Sequence, residues 1–245
     1  VAPTILNAGQ FTFIGGGFQN AATADCSFIG AGTLNSATVL AVRSFVGAGY
    51  SNYSTNTGAV VVGGCCNQSG GVRSFVGSGY LNNARCTNSF IGSGVNNDVC
   101  NNCSVIVGGS TNLVSGASAF IGGGQFNCGT ANLTNVVGGC CNHALIAGAF
   151  VGGGFCNTAN GCLSTVVNGT CNVATGVRSF VGGGIRATVT AGTASAIVGG
   201  QDNTSSGNYS FIGAGQCNTS TGLRSTLSGG FRNQIVSDYG VVAGG

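Results

Sequence analysis

Cysteine, arginine, aspartate and a single histidine carry most of the reactive chemistry of this 245-residue chain, which has 13 Cys, seven Arg and four Asp. Cys141, Cys156 and Cys171 follow one another at equal fifteen-residue intervals, and Cys66 and Cys217 share their phase in the repeat set out below. Residues stacked in consecutive strands lie about 4.8 Å apart, near the separation a disulfide requires. Two readings stay open: staples between coils or chains, or a ladder of small buried thiols. Cys65-Cys66 and Cys140-Cys141 are adjacent pairs, and adjacent cysteines rarely bond each other. Cys100 and Cys103 form a CxxC-like spacing, but structural zinc takes four ligands and His143 is the only histidine. No metal and no cofactor are expected.

Arg43, Arg73, Arg178 and Arg224 all stand six residues before a glycine of the repeat, which places them on one side of it. They read either as solvated surface charge or as a row that binds anionic glycans or pairs across subunits with Asp25, Asp98, Asp202 or Asp238. Nucleic-acid binding needs basic residues clustered on one face, and scattered arginines do not predict it. Acid–base catalysis has little material. There is no Glu, the four Asp read as falling at unrelated phases, and a glycosidase needs two carboxylates at a controlled separation. His143 is the sole base available to a serine, and no triad is legible. Phosphate-binding glycine loops open a helix, whereas Gly-x-Gly recurs here in most repeats. An enzyme is therefore not expected; a fibre-borne lyase would need Tyr, Arg or Asp gathered in a groove. Asn52, Asn67, Asn102, Asn132, Asn168, Asn203, Asn208 and Asn218 begin Asn-x-Ser/Thr sequons. The abundance of Asn, Ser and Thr accounts for them by chance.

These residues are positioned by a repeat. Taking the last Gly of each Gly-rich cluster as an anchor gives Gly17, Gly32, Gly49, Gly64, Gly79, Gly94 and so on to Gly245. The step from anchor to anchor is fifteen, except for seventeen before Gly49 and sixteen before Gly200. Ser44-Phe45-Val46-Gly47-Ala48-Gly49-Tyr50-Ser51-Asn52 and Ser210-Phe211-Ile212-Gly213-Ala214-Gly215-Gln216-Cys217-Asn218 are clear copies, and Ala187 replaces the Asn after Gly184. Helical repeats need roughly 33–47 residues, so this period predicts one coil of an all-β parallel β-solenoid. The solenoid spans residues 1–245 as a single repeat domain. Gly49, Gly64, Gly79 and Gly94 are expected at the turns, since Gly permits positive φ, together with Asn52, Asn67 and Asn82, since Asn tolerates it best among the rest. Sixteen coils would make a rod on the order of 75 Å long.

Composition agrees. Gly supplies 48 residues and charged residues only 4%. The apolar fraction of 43% argues against disorder. No run approaches the roughly 20 apolar residues of a spanning helix, so membrane insertion is not expected.

Strand neighbours point to opposite faces, yet bulky pairs recur, as in Phe28-Ile29, Phe75-Val76, Phe90-Ile91 and Phe120-Ile121. One member fills the coil. The other forms an exposed apolar stripe of the kind that marks an interface, which cyclic symmetry buries with one sequence. A homo-oligomer, in particular a trimer, is expected; the alternative is a broad monomeric coil enclosing both residues. The ends lack a polar cap, which suggests head-to-tail filaments or a segment of a longer rod.

The Ser-Phe-Ile/Val-Gly-x-Gly-x-x-Asn-x-Ala/Ser-x-Gly copies, covering nearly the whole chain, resemble the head repeats of trimeric autotransporter adhesins of the YadA type and related repeats of viral and phage fibres. The resemblance implies a trimeric left-handed parallel β-roll that projects from a surface and attaches to a host or matrix. The expected function is a structural fibre or filament subunit, extracellular or on a cell or virion surface, with adhesive capacity. The alternatives are a specific glycan- or matrix-binding adhesin head and an ice-binding solenoid. The last needs a regular row of Thr, and Thr holds no single phase on this reading.

Overall fold

The structure, a computed structural model, describes residues 6–245. It is all-β: a parallel β-solenoid of sixteen coils, in which like positions recur about every fifteen residues. The chain divides into two compact units, Val1–Gly124 and Gln125–Gly245. In the first unit one sheet runs from Leu6–Asn7 to Leu113–Val114, and the other from Phe13–Ile14 to Phe120–Ile121. In the second, the corresponding sheets run from Cys128–Gly129 to Gln234–Ile235 and from Asn135–Val136 to Val241–Val242. Strands pair in parallel with like positions in register, as in Phe75↔Phe90 and Asn83↔Asp98. A third ladder of single bridging residues follows each anchor, as in Tyr80↔Val95 and Phe155↔Thr170.

Strands of two residues follow from the density of corners. A typical coil bends through three residues of positive φ: Gly79 (104°), Leu81 (57°) and Asn88 (56°), or Gly154 (89°), Cys156 (56°) and Leu163 (57°). Only the anchor requires glycine. Its φ lies beyond the left-handed helical well, and its Cα faces the next coil's backbone. The other two corners sit near 57°, which an L-residue adopts at a cost of roughly 1–2 kcal/mol; Arg, Leu, Phe, Tyr and Cys all occupy them. The turn assignment therefore holds for Gly49, Gly64, Gly79 and Gly94, at 91° to 110°. It is corrected for Asn52, Asn67 and Asn82. The left-handed residue is the one before each, Ser51, Cys66 and Leu81, and the asparagine turns inward.

Those asparagines build the interior. Asn82 is fully buried. Its Nδ2 donates to Ser78 O (3.0 Å) and to Gly94 O in the next coil (2.8 Å), while its Oδ1 accepts the Asn97 backbone N–H (3.1 Å). In the second unit Asn157 repeats this toward Gly153 O (2.8 Å), Gly169 O (2.8 Å) and Asn172 N (3.0 Å). Each amide thus satisfies a corner carbonyl and the next coil's asparagine N–H, and adds a second donor to an anchor carbonyl that already accepts a backbone N–H, as Gly94 O does from Tyr80 (2.9 Å). The register breaks at Ala187, which still donates its N–H to Asn172 Oδ1 (2.9 Å) but has no amide to pass on.

The remaining core is narrow. A column of Ile and Val, including Ile91, Ile106, Val151 and Val166, is fully buried and faces a column of Ala, Ser and Val, including Ala84, Val99, Ala144 and Ala159. Buried serines cap the corner before the Phe strand: Ser74 donates to Gly71 O (2.7 Å) and Ser89 to Cys86 O (2.6 Å). Where the small column is serine, as at Ser69, Ser205 and Ser220, its hydroxyl pairs with the corner serine.

Candidate functional site

The surface of the described residues has no concave pocket. Its chemistry lies in columns of like residues, one per repeat position.

On the Phe sheet the first residue of the strand faces outward, and the second is buried wherever a coil has neighbours on both sides. The enclosing-both alternative is thus corrected: with Asn, Ser and Ala already inside, the coil has no room for a phenyl ring. Phe13, Phe28 and Phe45 stack at centroid distances of 5.0 and 5.2 Å, and Phe75 and Phe90 at 5.1 Å. Sequence reading missed how this stripe is kept apolar. Wherever the outward residue is Phe (13, 28, 45, 75, 90, 120, 150, 180 and 211), the residue two positions on is Gly. Wherever it is Val60, Val105, Asn135, Thr165 or Ala196, that later residue is Val: Val62, Val107, Val137, Val167 or Val198. The phenyl ring lies over its glycine: a Cβ on Gly47 or Gly92 would overlap the carbonyl oxygen of Val62 or Val107 in the next coil and would also stand 3.2 or 3.4 Å from Cε1 of Phe45 or Phe90. Without the ring, a half-exposed valine occupies the space. Thr226 and Val241 are followed instead by Ser228 and Ala243. The signal was present in the repeat, as an exchange between two columns rather than a preference in one.

The outer face of the other sheet differs between the units. In the second, Thr158, Val173, Thr188, Thr204 and Thr219 stand in register over five consecutive coils. Two residues on, Asn160, Thr175, Thr190, Ser206 and Thr221 form a parallel column. The view that Thr holds no single phase is corrected here for this unit: Thr158, Thr188, Thr204 and Thr219 each stand four residues after their anchor, a phase at which most other coils carry different residues.

Arg43, Arg73, Arg178 and Arg224 are all exposed, each at the left-handed corner before the Phe strand. The aspartates do not serve them. Asp98 pairs with Arg85 (2.7 Å) and Asp202 with Arg186 (2.6 Å), both within the chain. The Arg186 guanidinium holds the Asp202 carboxyl below its ordinary range. Asp25 and Asp238 prove to share a phase. Their Oδ1 atoms accept the backbone N–H of Gln10 (2.7 Å) and Leu223 (2.9 Å) one coil away, and Asn102 and Asn208 do the same for Thr87 and Thr193. All four carboxylates are thus engaged in holding coils together. Arg224 lies between Tyr209 and Tyr239, 5.9 and 5.8 Å from the ring centroids.

All thirteen cysteines are free thiols. Cys141 and Cys156 are half-buried and Cys171 exposed, so the column sits on a surface corner, not in the core. Among the described residues no three His, Cys or Asp side chains converge as a metal requires. Cys100 has its pKa pushed up to about 11, by burial first and then by the Asp98 carboxylate, so its thiol stays protonated at neutral pH. His143 is half-buried on the outer face of the second unit's Thr sheet.

The sequons sort by column. Asn52, Asn67, Asn203 and Asn218 are fully buried ladder residues, and the Ser that completes each is the small core residue two positions later. Asn102, Asn132, Asn168 and Asn208 are exposed. Folding requirements, rather than chance, write half of these motifs.

Among the described residues no helix is long and apolar enough to cross a membrane. No protein-family model matches the chain, and no curated protein matches it in sequence.

Proposed function

We propose that the chain is a structural, non-catalytic fibre subunit whose solenoids associate side by side with copies of themselves, in threes, through the Phe face. The carrying observation is the Phe–Gly to small–Val exchange. A solenoid needs no constant outer thickness to fold alone, because neither residue touches its interior. A partner surface does need it. The stripe carries no charge in any coil and repeats with the coil spacing, which suits a partner of the same period, another copy of this chain. The exposed Arg row gives such a fibre its adhesive contact with anionic glycans or matrix, and the proposal places the fibre outside the cell or on a virion, where filaments also extend end to end.

Sedimentation velocity tests the association. The wild type should sediment as a trimer at micromolar concentration. Phe75→Asp with Phe90→Asp should shift it to monomer, since each buried interface aromatic contributes about 2 kcal/mol or more, while the circular dichroism spectrum is retained. A wild type that is monomeric, or a double variant that stays trimeric, removes this reading.

The Thr columns favour a second reading for the second unit. Neighbouring coils are about 4.8 Å apart and alternate residues of a strand about 6.6 Å apart. The columns thus present methyl and hydroxyl groups in a flat two-dimensional lattice, suited to ordering water at an ice face. On this reading the protein inhibits ice recrystallisation at micromolar concentration and Thr204→Lys abolishes the effect. Equal crystal growth with and without wild-type protein leaves the fibre reading alone.

A further inference from the structure

Four thiols of the second unit meet at one surface corner. Cys140 Sγ lies 3.3 Å from Cys141 Sγ, and Cys156 occupies the same corner one coil from Cys141 and one coil from Cys171. Their backbones are superposable along the coils. Cys141, Cys156 and Cys171 have φ of 57°, 56° and 56°, and the corner N–H groups of Cys156 and Cys171 donate to Cys140 O and Phe155 O at 2.9 Å. Equal φ angles and the repeated ladder bonds set the three Cα–Cβ bonds parallel, so the thiols stack one above another along the coils.

We infer that Cys156 is the hub of an oxidisable relay that forms one disulfide at a time, to Cys141 or to Cys171. Geometry decides which pairs are allowed. Adjacent Cα atoms stand about 3.8 Å apart across a trans peptide, short of the roughly 4.4–6.8 Å that a disulfide spans, so Cys140–Cys141 is excluded despite its close sulfurs. Coils about 4.8 Å apart fall inside that window. Parallel Cβ atoms keep this same separation, slightly beyond the usual Cβ–Cβ distance of about 3.5–4.5 Å. Closing the bond therefore draws the two Cβ atoms together by about 0.5 Å or more, and the strain this stores makes it readily reduced, as strained exposed disulfides are.

The oxidant is a small disulfide such as glutathione disulfide. The exposed Cys171 thiolate attacks it, releasing one glutathione thiolate that takes a proton. Cys156 then displaces the second glutathione, forming Cys156–Cys171. Two thiols are oxidised and one disulfide is reduced to two thiols. Attack by Cys141 on the Cys156 sulfur moves the bond to Cys141–Cys156 with no net oxidation, and Cys171 leaves as a thiolate that takes up a proton. Because Cys156 has one sulfur, the four thiols hold a single bond, and the oxidised state ties one coil to the next.

Cys65 and Cys66 supply an internal control. Their sulfurs are 3.2 Å apart, yet Ser51 and Leu81 occupy the matching corners of the neighbouring coils. The test equilibrates the folded full chain in excess glutathione disulfide, alkylates with iodoacetamide, digests with chymotrypsin and maps linked peptides by mass spectrometry. The expected result is Cys141–Cys156 or Cys156–Cys171, never both in one molecule, with no Cys140–Cys141 or Cys65–Cys66 loop. Cys156→Ser should leave no intrachain bond among the other three. Absence of any bond in the wild type, a Cys140–Cys141 or Cys65–Cys66 loop, or a bond among Cys140, Cys141 and Cys171 in Cys156→Ser overturns the relay.

Discussion

Gly139→Ala should destabilise the second unit by about 4 kcal/mol or more, in the range reserved for strain and steric overlap, whereas Gly138→Ala next to it should stabilise by up to about 1 kcal/mol. Both residues are solvent-accessible glycines, and burial alone would not separate them. Gly139 has φ of 86°, and a Cβ there would overlap the Gly154 carbonyl oxygen and stand 2.5 Å from Asn142 Nδ2 and 2.8 Å from Gly154 N. The first contact is with backbone, so relief requires that the coils separate. Around Gly138 a Cβ would meet nothing within 4 Å, and alanine there only narrows the unfolded ensemble. Urea denaturation followed by circular dichroism measures both. Each coil is coupled to its neighbours, as in other solenoids, so the loss at Gly139 should appear as a lowered midpoint for the unit rather than as fraying of one loop. Equal midpoints for the two variants would remove the idea that the anchor glycine is a contact between coils.

The period was legible because it is a covalent fact: the anchor recurs at a fixed step whether or not the chain is folded. The alternation of Phe and Ile then assigns inside and outside, and the structure follows it at every described coil where both occur. What sequence reading missed has a common physical cause. It judged residues by intrinsic preference, and here the stack overrides preference. Cys171, Arg178 and Phe126 adopt left-handed φ without any propensity for it, because a closed coil needs three corners and the ladders on either side hold them. Asn52 looked like a turn former and is a buried hydrogen-bonding part. The Thr column at Thr188, Thr204 and Thr219 is confined to a few coils of the second unit, and the other residues at that phase along the chain mask it until the strands are seen to pair. The Phe–Gly and small–Val exchange needs two columns compared at once, and each column alone looks irregular.

Asn157→Ala should cost about 2–4 kcal/mol, the sum of two polar groups left unpaired less some relaxation. The reverse change at the natural gap, Ala187→Asn, should gain about 1–2 kcal/mol, as one or two restored hydrogen bonds would. The first figure follows from what the amide satisfies: Gly153 O and the Asn172 N–H at 2.8 and 3.0 Å lose their partner, whereas Gly169 O, also at 2.8 Å, keeps the Phe155 N–H (2.9 Å). Each buried group left without a partner costs about 1–3 kcal/mol, and local rearrangement of the exposed glycine corner recovers part of that. A carboxylate is no substitute. Asn157→Asp keeps an acceptor for Asn172 N but cannot donate to two carbonyls, so it should destabilise at neutral pH and recover partly in acid as the carboxyl gains a donor. At Ala187 the N–H already reaches Asn172 Oδ1 at 2.9 Å, so the backbone is in ladder register. An amide there would meet Gly183 O and Gly200 O, the equivalents of the carbonyls that Asn157 binds. Ala187 is fully buried, yet every other described residue of that column is asparagine, and the same corner geometry recurs at Arg186, with φ of 54°. Stability from urea titration of the three variants decides the matter. A loss below about 1 kcal/mol for Asn157→Ala, no more than one ordinary hydrogen bond, would mean that the anchor glycines and strand ladders hold the coils by themselves. A loss for Ala187→Asn would mean that the insertion in that coil has already reshaped the corner.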